Sequence, residues 1–181
     1  MTTDKQSTSL RDRKKPDAYY SYGGLSVLLH WATVFMVAAL ALSAGQTHVA
    51  LSVVFALLLL WRSVRRWGKG FPRVSDQLLV LNFIERAAKI IMLIALIVLV
   101  LSGIMQALFL ALPLTFFGIA TWQPPMEPNP TGALIAATIH GYGAWALYGA
   151  IAVHLLAALK HFVTMKDGII LRIVKPVAGG K

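Results

Sequence analysis

The residues of this sequence best able to do chemistry are five histidines: His30, His48, His140, His154 and His161. All seven acids (Asp4, Asp12, Asp17, Asp76, Glu85, Glu127 and Asp167) fall in tails, loops or interfacial stretches, and there is no cysteine. Without cysteine there is no disulfide, no thiolate zinc site, no iron–sulfur cluster and no haem attached through a C-x-x-C-H motif. An ion-coupled transporter usually places carboxylates inside its spans, so the pattern weakens that class. Neutral imidazole remains, a ligand for haem iron or for another metal that favours nitrogen.

Spacing separates the histidines. His140 and His154 are fourteen residues apart. On a helix that spacing leaves them within roughly 40° of one face and about 21 Å apart along the axis. The distance is too great for one metal but suits two sites stacked through a bilayer. With a turn taken at Gln46, His30 and His48 differ in level by the same fourteen residues. His30 can then face His154 at one level, and His48 can face His140 at the other. His48 opens its helix whereas His140 lies about two turns into its own, a mismatch that a projecting helix start would absorb. Any one of these residues could equally be an isolated interfacial histidine; the shared two-level geometry argues for four acting together. His161 lies seven residues beyond His154, beside Lys160. Pairing it with His140 would separate the sites by about 31 Å, the whole hydrocarbon core. It reads as a surface residue or one near a quinone or propionate, and an ordinary interfacial histidine is the plainer of these readings.

The elements that must position these side chains are membrane spans. Of 181 residues, 57% are hydrophobic and 13% charged, with a mean hydropathy of +0.69; soluble domains carry about 25% charge. Apolar runs predict helices over 25–45, 47–67, 87–112 and 132–162. Residues 68–86 read as a loop followed by an interfacial stretch. Four prolines exclude continuous helix over 121–131, and 167–174 forms a short amphipathic piece. The fold class is therefore an all-α, integral membrane four-helix bundle. It comprises a basic tail (1–24) that is not a cleaved signal, a helical domain (25–176) and a C-terminal tail (177–181). All seventeen Lys and Arg residues lie in the two tails, the connection between helices 2 and 3, and their flanks. The other two connections have none, which places both termini in the cytoplasm. The net charge of +10 then reflects segments lying against anionic lipid, and no nucleic-acid partner is expected.

In order along the chain, the sequence carries Leu29-His30-Trp31, His48, Trp61-Arg62, Leu101-Ser102-Gly103, Phe116-Phe117-Gly118 and His140. It then has His154-Leu-Leu-Ala-Ala-Leu-Lys-His161 and closes with Lys166-Asp167-Gly168-Ile-Ile-Leu-Arg172. Over about residues 19–176 it resembles the bacterial cytochrome b561 family of small four-helix membrane cytochromes. The resemblance implies two non-covalent b haems, with His30 and His154 on the inner iron and His48 and His140 on the outer one. It also implies a multi-pass protein of the bacterial inner membrane that passes electrons between an outer-face partner and ubiquinone. Some similar proteins oxidise superoxide. Arg62, Lys89 and Arg172 are candidate partners of the inner haem propionates, although positive-inside topology accounts for them equally well. Gly45, Gly103 and Gly141 would admit a porphyrin close to the backbone or, more simply, pack helices. The family's early helix 3 histidine is absent; Glu85-Arg86-Ala87-Ala88-Lys89 stands there. If that histidine only tunes a substrate or quinone site, its loss spares the haems and bears on any activity that depends on it. Two other functions compete: a cytochrome b anchor subunit bound to a dehydrogenase or hydrogenase partner, and a haem-free metal permease or scaffold. The donor, the acceptor and any enzymatic activity are open at this stage.

Overall fold

The computed structural model describes residues 24–66 and 79–165. Four helices are long and apolar enough to cross a membrane: α1 (Gly24–Leu42), α2 (Gly45–Arg66), α3 (Leu79–Phe109) and α4 (Pro130–Lys160). The described chain is an all-α membrane bundle with a small two-stranded addition. The 1–24 tail (apart from Gly24), the 167–174 piece, Arg172 and the 177–181 tail lie outside the described residues.

The first connection is shorter than the expected apex at Gln46. Only Ser43 and Ala44 separate α1 from α2, and Gly45 takes a φ of +60° that a β-carbon would disfavour. α3 begins at Leu79 rather than 87 and ends at Phe109 rather than 112. No glycine or proline interrupts 79–102, so the polar residues Asn82, Glu85 and Arg86 continue the helix instead of lying apart from it. The proline-rich connection starts as an antiparallel hairpin, β1 (Leu114–Phe116) with β2 (Ala120–Trp122), in register Phe116 to Ala120. Its turn places Phe117 and Gly118 at positive φ, the twist that tight hairpins require. Pro130 then opens α4 at the position where a missing N–H costs nothing, and the Asn129 side chain accepts a bond from Gly132 N–H.

The helices form two hairpins. α3 and α4 pack along most of their length, α1 packs on α2, and α2 meets α3 at few positions. The α3–α4 seam is built from small residues. Ala88, Ala95 and Ser102 recur every seven positions on α3, facing Ala133, Ala136, Gly143, Leu147 and Ala150 on α4. A β-carbon at Gly143 would already touch Leu99 at 3.4 Å, so backbone proximity rather than bulk joins these helices. Elsewhere the interior is thin: among the described residues no large side chain is fully buried. Large apolar side chains such as Phe35, Leu57, Ile94 and Leu156 are exposed on all four helices, as a lipid-facing surface requires.

Candidate functional site

The clearest site lies where the two hairpins face each other near the α1–α2 turn. His48, on the first turn of α2, and His140, ten residues into α4, bring their ring centres to 6.1 Å with planes at 72°. Both rings line a cavity of about 280 Å³ that reaches all four helices, with Ser52, Phe55, Leu96 and Tyr148 among its walls. The mismatch in helix position disappears because α4 begins at Pro130 and its first turns run on beyond the α1–α2 turn.

Hydrogen bonds fix the state of both imidazoles. His48 Nδ1 lies 2.9 Å from the Leu40 carbonyl. A carbonyl only accepts, so this nitrogen carries the proton, and in the neutral ring Nε2 then keeps a lone pair. His140 Nδ1 lies 3.1 Å from Ser102 Oγ. The Ser102 hydroxyl already donates to the Val98 carbonyl at 2.6 Å, so here too Nδ1–H is the donor and Nε2 is free. Two imidazoles on opposite sides of one metal, at bonds of about 2.0–2.1 Å, hold their ring centres roughly 6 Å apart. Nδ1–H held by a carbonyl or hydroxyl is the usual support of a ligating histidine. The ring separation and the Nδ1 bonds are compatible with two imidazoles on one metal. Gly103 packs against this site: a β-carbon there would meet His140 Cε1 at 3.4 Å. Gly45 serves the turn, and at Gly141 a β-carbon would meet nothing within 4 Å.

At the other end, His30 of α1 and His154 of α4 lie within electrostatic reach of each other. His30 also feels Arg62, and His154 feels Lys89 and Glu85. Arg62 Nη1 donates to Thr33 Oγ1 at 2.7 Å and to the Leu29 carbonyl at 3.2 Å, pinning α2 to the turn of α1 that carries His30. The Trp31 ring stands edge-on to His30 at 5.8 Å. His161 is not at the surface. It is 4% exposed, its Nε2 lies 3.2 Å from Glu85 Oε1, and it begins a π-helical turn, His161–Met165. No group of three or more metal-ligating side chains occurs among the described residues; the histidines come together as pairs. The motif Leu101-Ser102-Gly103 marked Ser102, but sequence reasoning missed its support of His140, and it missed the Glu85 partnership, which joins residues 76 positions apart.

A family model described as prokaryotic cytochrome b561 matches residues 21–176. The chain belongs to the prokaryotic cytochrome b561 family. A search of curated proteins found no match to it. Membership makes it a multi-pass membrane b-type cytochrome that binds haem b and works in electron transfer. In a cytochrome b561 the absence of cysteine has a direct meaning: the haem is held by coordination and packing alone.

Proposed function

We propose that this cytochrome b561 holds two haem b groups, one between His48 and His140 and one between His30 and His154. In this reading it carries electrons across the bacterial inner membrane between an outer-face partner and a quinone. The observation that carries it is the His48–His140 pair, with ring centres 6.1 Å apart across a cavity and both Nδ1 protons committed elsewhere. Haem b would supply a one-electron iron couple there, and with His48 and His140 or His30 and His154 holding each iron the chemistry would be outer-sphere transfer.

The chain's own residues do the rest. The Leu40 carbonyl and Ser102 hydroxyl orient the outer imidazoles and raise their basicity. Phe55, Leu96 and Leu147 give the cavity an apolar wall. Arg62 and Lys89 add positive charge beside the inner histidines, which suits propionate carboxylates. Arg172 is proposed for the same role from the sequence. Lipid surrounds the exposed apolar faces, and a quinone dissolved in that lipid is the acceptor that a chain so embedded can reach.

The test is haem content with an optical spectrum. Two haems per chain with a bis-imidazole b-type α-band are expected; a colourless preparation overturns the proposal. A soluble redox subunit that stays bound through purification would instead assign the chain as a membrane anchor. Gly103→Val offers a local check. Its branched side chain must displace His140, so about one haem per chain is lost, while Gly103→Ala, at ordinary contact distance, retains both. Equal haem content in wild type and Gly103→Val would contradict the outer assignment.

A further inference from the structure

The connection between α3 and α4 keeps the apolar character of the helices it joins. Between Lys89 and Lys160 the sequence holds one charged residue, Glu127. Leu110 and Leu112, just past the end of α3, are exposed. Beyond them the β1–β2 hairpin presents Phe117 at 59% and Ile119 at 88% exposure on either side of Gly118, with Trp122 half-exposed on β2. Hairpin turns that face water are ordinarily polar. Leu134 and Ile135 in the first turns of α4 are exposed as well, so the lipid-facing surface of the helices continues up to the base of the hairpin. The heights agree. Ser102 of α3 and His140 of α4 share one level, and Phe109 stands seven residues, about 10 Å, beyond it. α2 starts only three residues beyond His48, whose ring faces His140. α3 and α4 therefore project past α2, and β1 packs against α2, which folds the hairpin back across that step. Its own polar groups limit its depth. A two-stranded ribbon leaves the N–H and C=O groups of its outer edges for water or lipid headgroups, which keeps it out of the hydrocarbon. Thr115 and Thr121 share a hydroxyl bond of 3.1 Å on one face, and Leu114, Phe116 and Trp122 alternate onto the other. An apolar tip on a ribbon confined to the headgroups is the make-up of an interfacial anchor, and tryptophan favours the same depth.

We infer that the tip of the β1–β2 hairpin inserts into the leaflet on the side of the membrane that lacks Lys and Arg, with Phe117 and Ile119 at the boundary between headgroups and acyl chains. The partner is the lipid surface itself, and the contact is apolar. No Lys or Arg lies between Gly24 and Trp61 or between Lys89 and Lys160, so nothing on this side recruits an anionic headgroup. The anchor ties the α3–α4 connection to the leaflet beside the start of α2, and it stands apart from how the histidines are used.

Because the chain has no cysteine, Ile119→Cys and Glu127→Cys each accept a single nitroxide label. The full chain is reconstituted into phosphatidylcholine vesicles, with and without phosphatidylglycerol. Electron paramagnetic resonance then compares collisions of each label with oxygen, which concentrates in lipid, and with a nickel chelate confined to water. At Ile119 collisions with oxygen should exceed those with nickel, and at Glu127 the order should reverse, equally in both lipids. Leu112→Cys, at the base of the hairpin, should follow Ile119, so the result does not rest on one variant; circular dichroism selects the labelled chains that keep full helical content. Nickel ahead of oxygen at both Ile119 and Leu112 puts the hairpin in water and overturns the anchor. Few collisions with either reagent at Ile119 mean that protein covers the tip, a second copy or a partner subunit, and overturn it too. An oxygen preference that appears only with phosphatidylglycerol overturns the apolar mode of contact. Haem content does not enter the measurement, so failure here leaves the two-haem reading intact.

Discussion

Replacing His154 with alanine is expected to remove about half of the bound haem and to cut electron passage across the bilayer by more than about 100-fold. The remaining α-band should be that of the outer centre. The argument is one of shared ligation: an iron that loses one of two protein ligands loses most of what keeps a non-covalent haem in place. His30→Ala should have the same effect, and the His30→Ala/His154→Ala double variant should lose no more than either single variant, because both act on one centre. His48→Ala with His154→Ala should lose everything. Pyridine hemochrome content per chain measures all four. Full haem retention in His154→Ala, or strictly additive losses for His30 and His154, would break the assignment.

Removing haem should also unlock the bundle. α1–α2 and α3–α4 touch little across their interface, and the described interior buries no large side chain fully. The proposed ligands His30 and His48 lie on the first hairpin, His140 and His154 on the second. A ligand bound only by the folded state, at a thousandfold over its dissociation constant, contributes about 4.1 kcal/mol, and two such sites contribute more. For a chain of this length about 4 kcal/mol corresponds to roughly 8–16 °C in melting temperature. Haem-free protein in detergent should therefore melt at least about 8 °C lower while keeping its helical content. Because the chain has no cysteine, spin labels on single engineered cysteines in α1 and α3 would show whether the hairpins separate. Equal melting and unchanged label distances would contradict this.

The candidate site was legible in the sequence where one uninterrupted helix set the geometry. The His140–His154 interval needs only the helical repeat. The level of His48 against His140 needs the turn, and the turn differs: Ser43 and Ala44 connect the helices, not an apex at Gln46. The start of α3 was hidden because Asn82, Glu85 and Arg86 resemble an interface in isolation. Inside the bundle Glu85 meets His161, distant in sequence. The hairpin depended on Phe117 accepting a left-handed backbone beside Gly118, which an aromatic residue does not advertise. Ser102 was ambiguous for a chemical reason. A hydroxyl in an apolar helix commonly bonds back to its own turn, as this one does to Val98, and nothing local says which ring will use its lone pair.

The small-residue seam between α3 and α4, set against the sparse contact with α1–α2, has a consequence for biogenesis. If haem joins the two hairpins as proposed, each half would enter the lipid as a finished unit, and cofactor capture would be the closing stage, inside the bilayer. Maturation would then be limited by pigment supply, and starved cells should accumulate inserted but unclosed chains awaiting their iron.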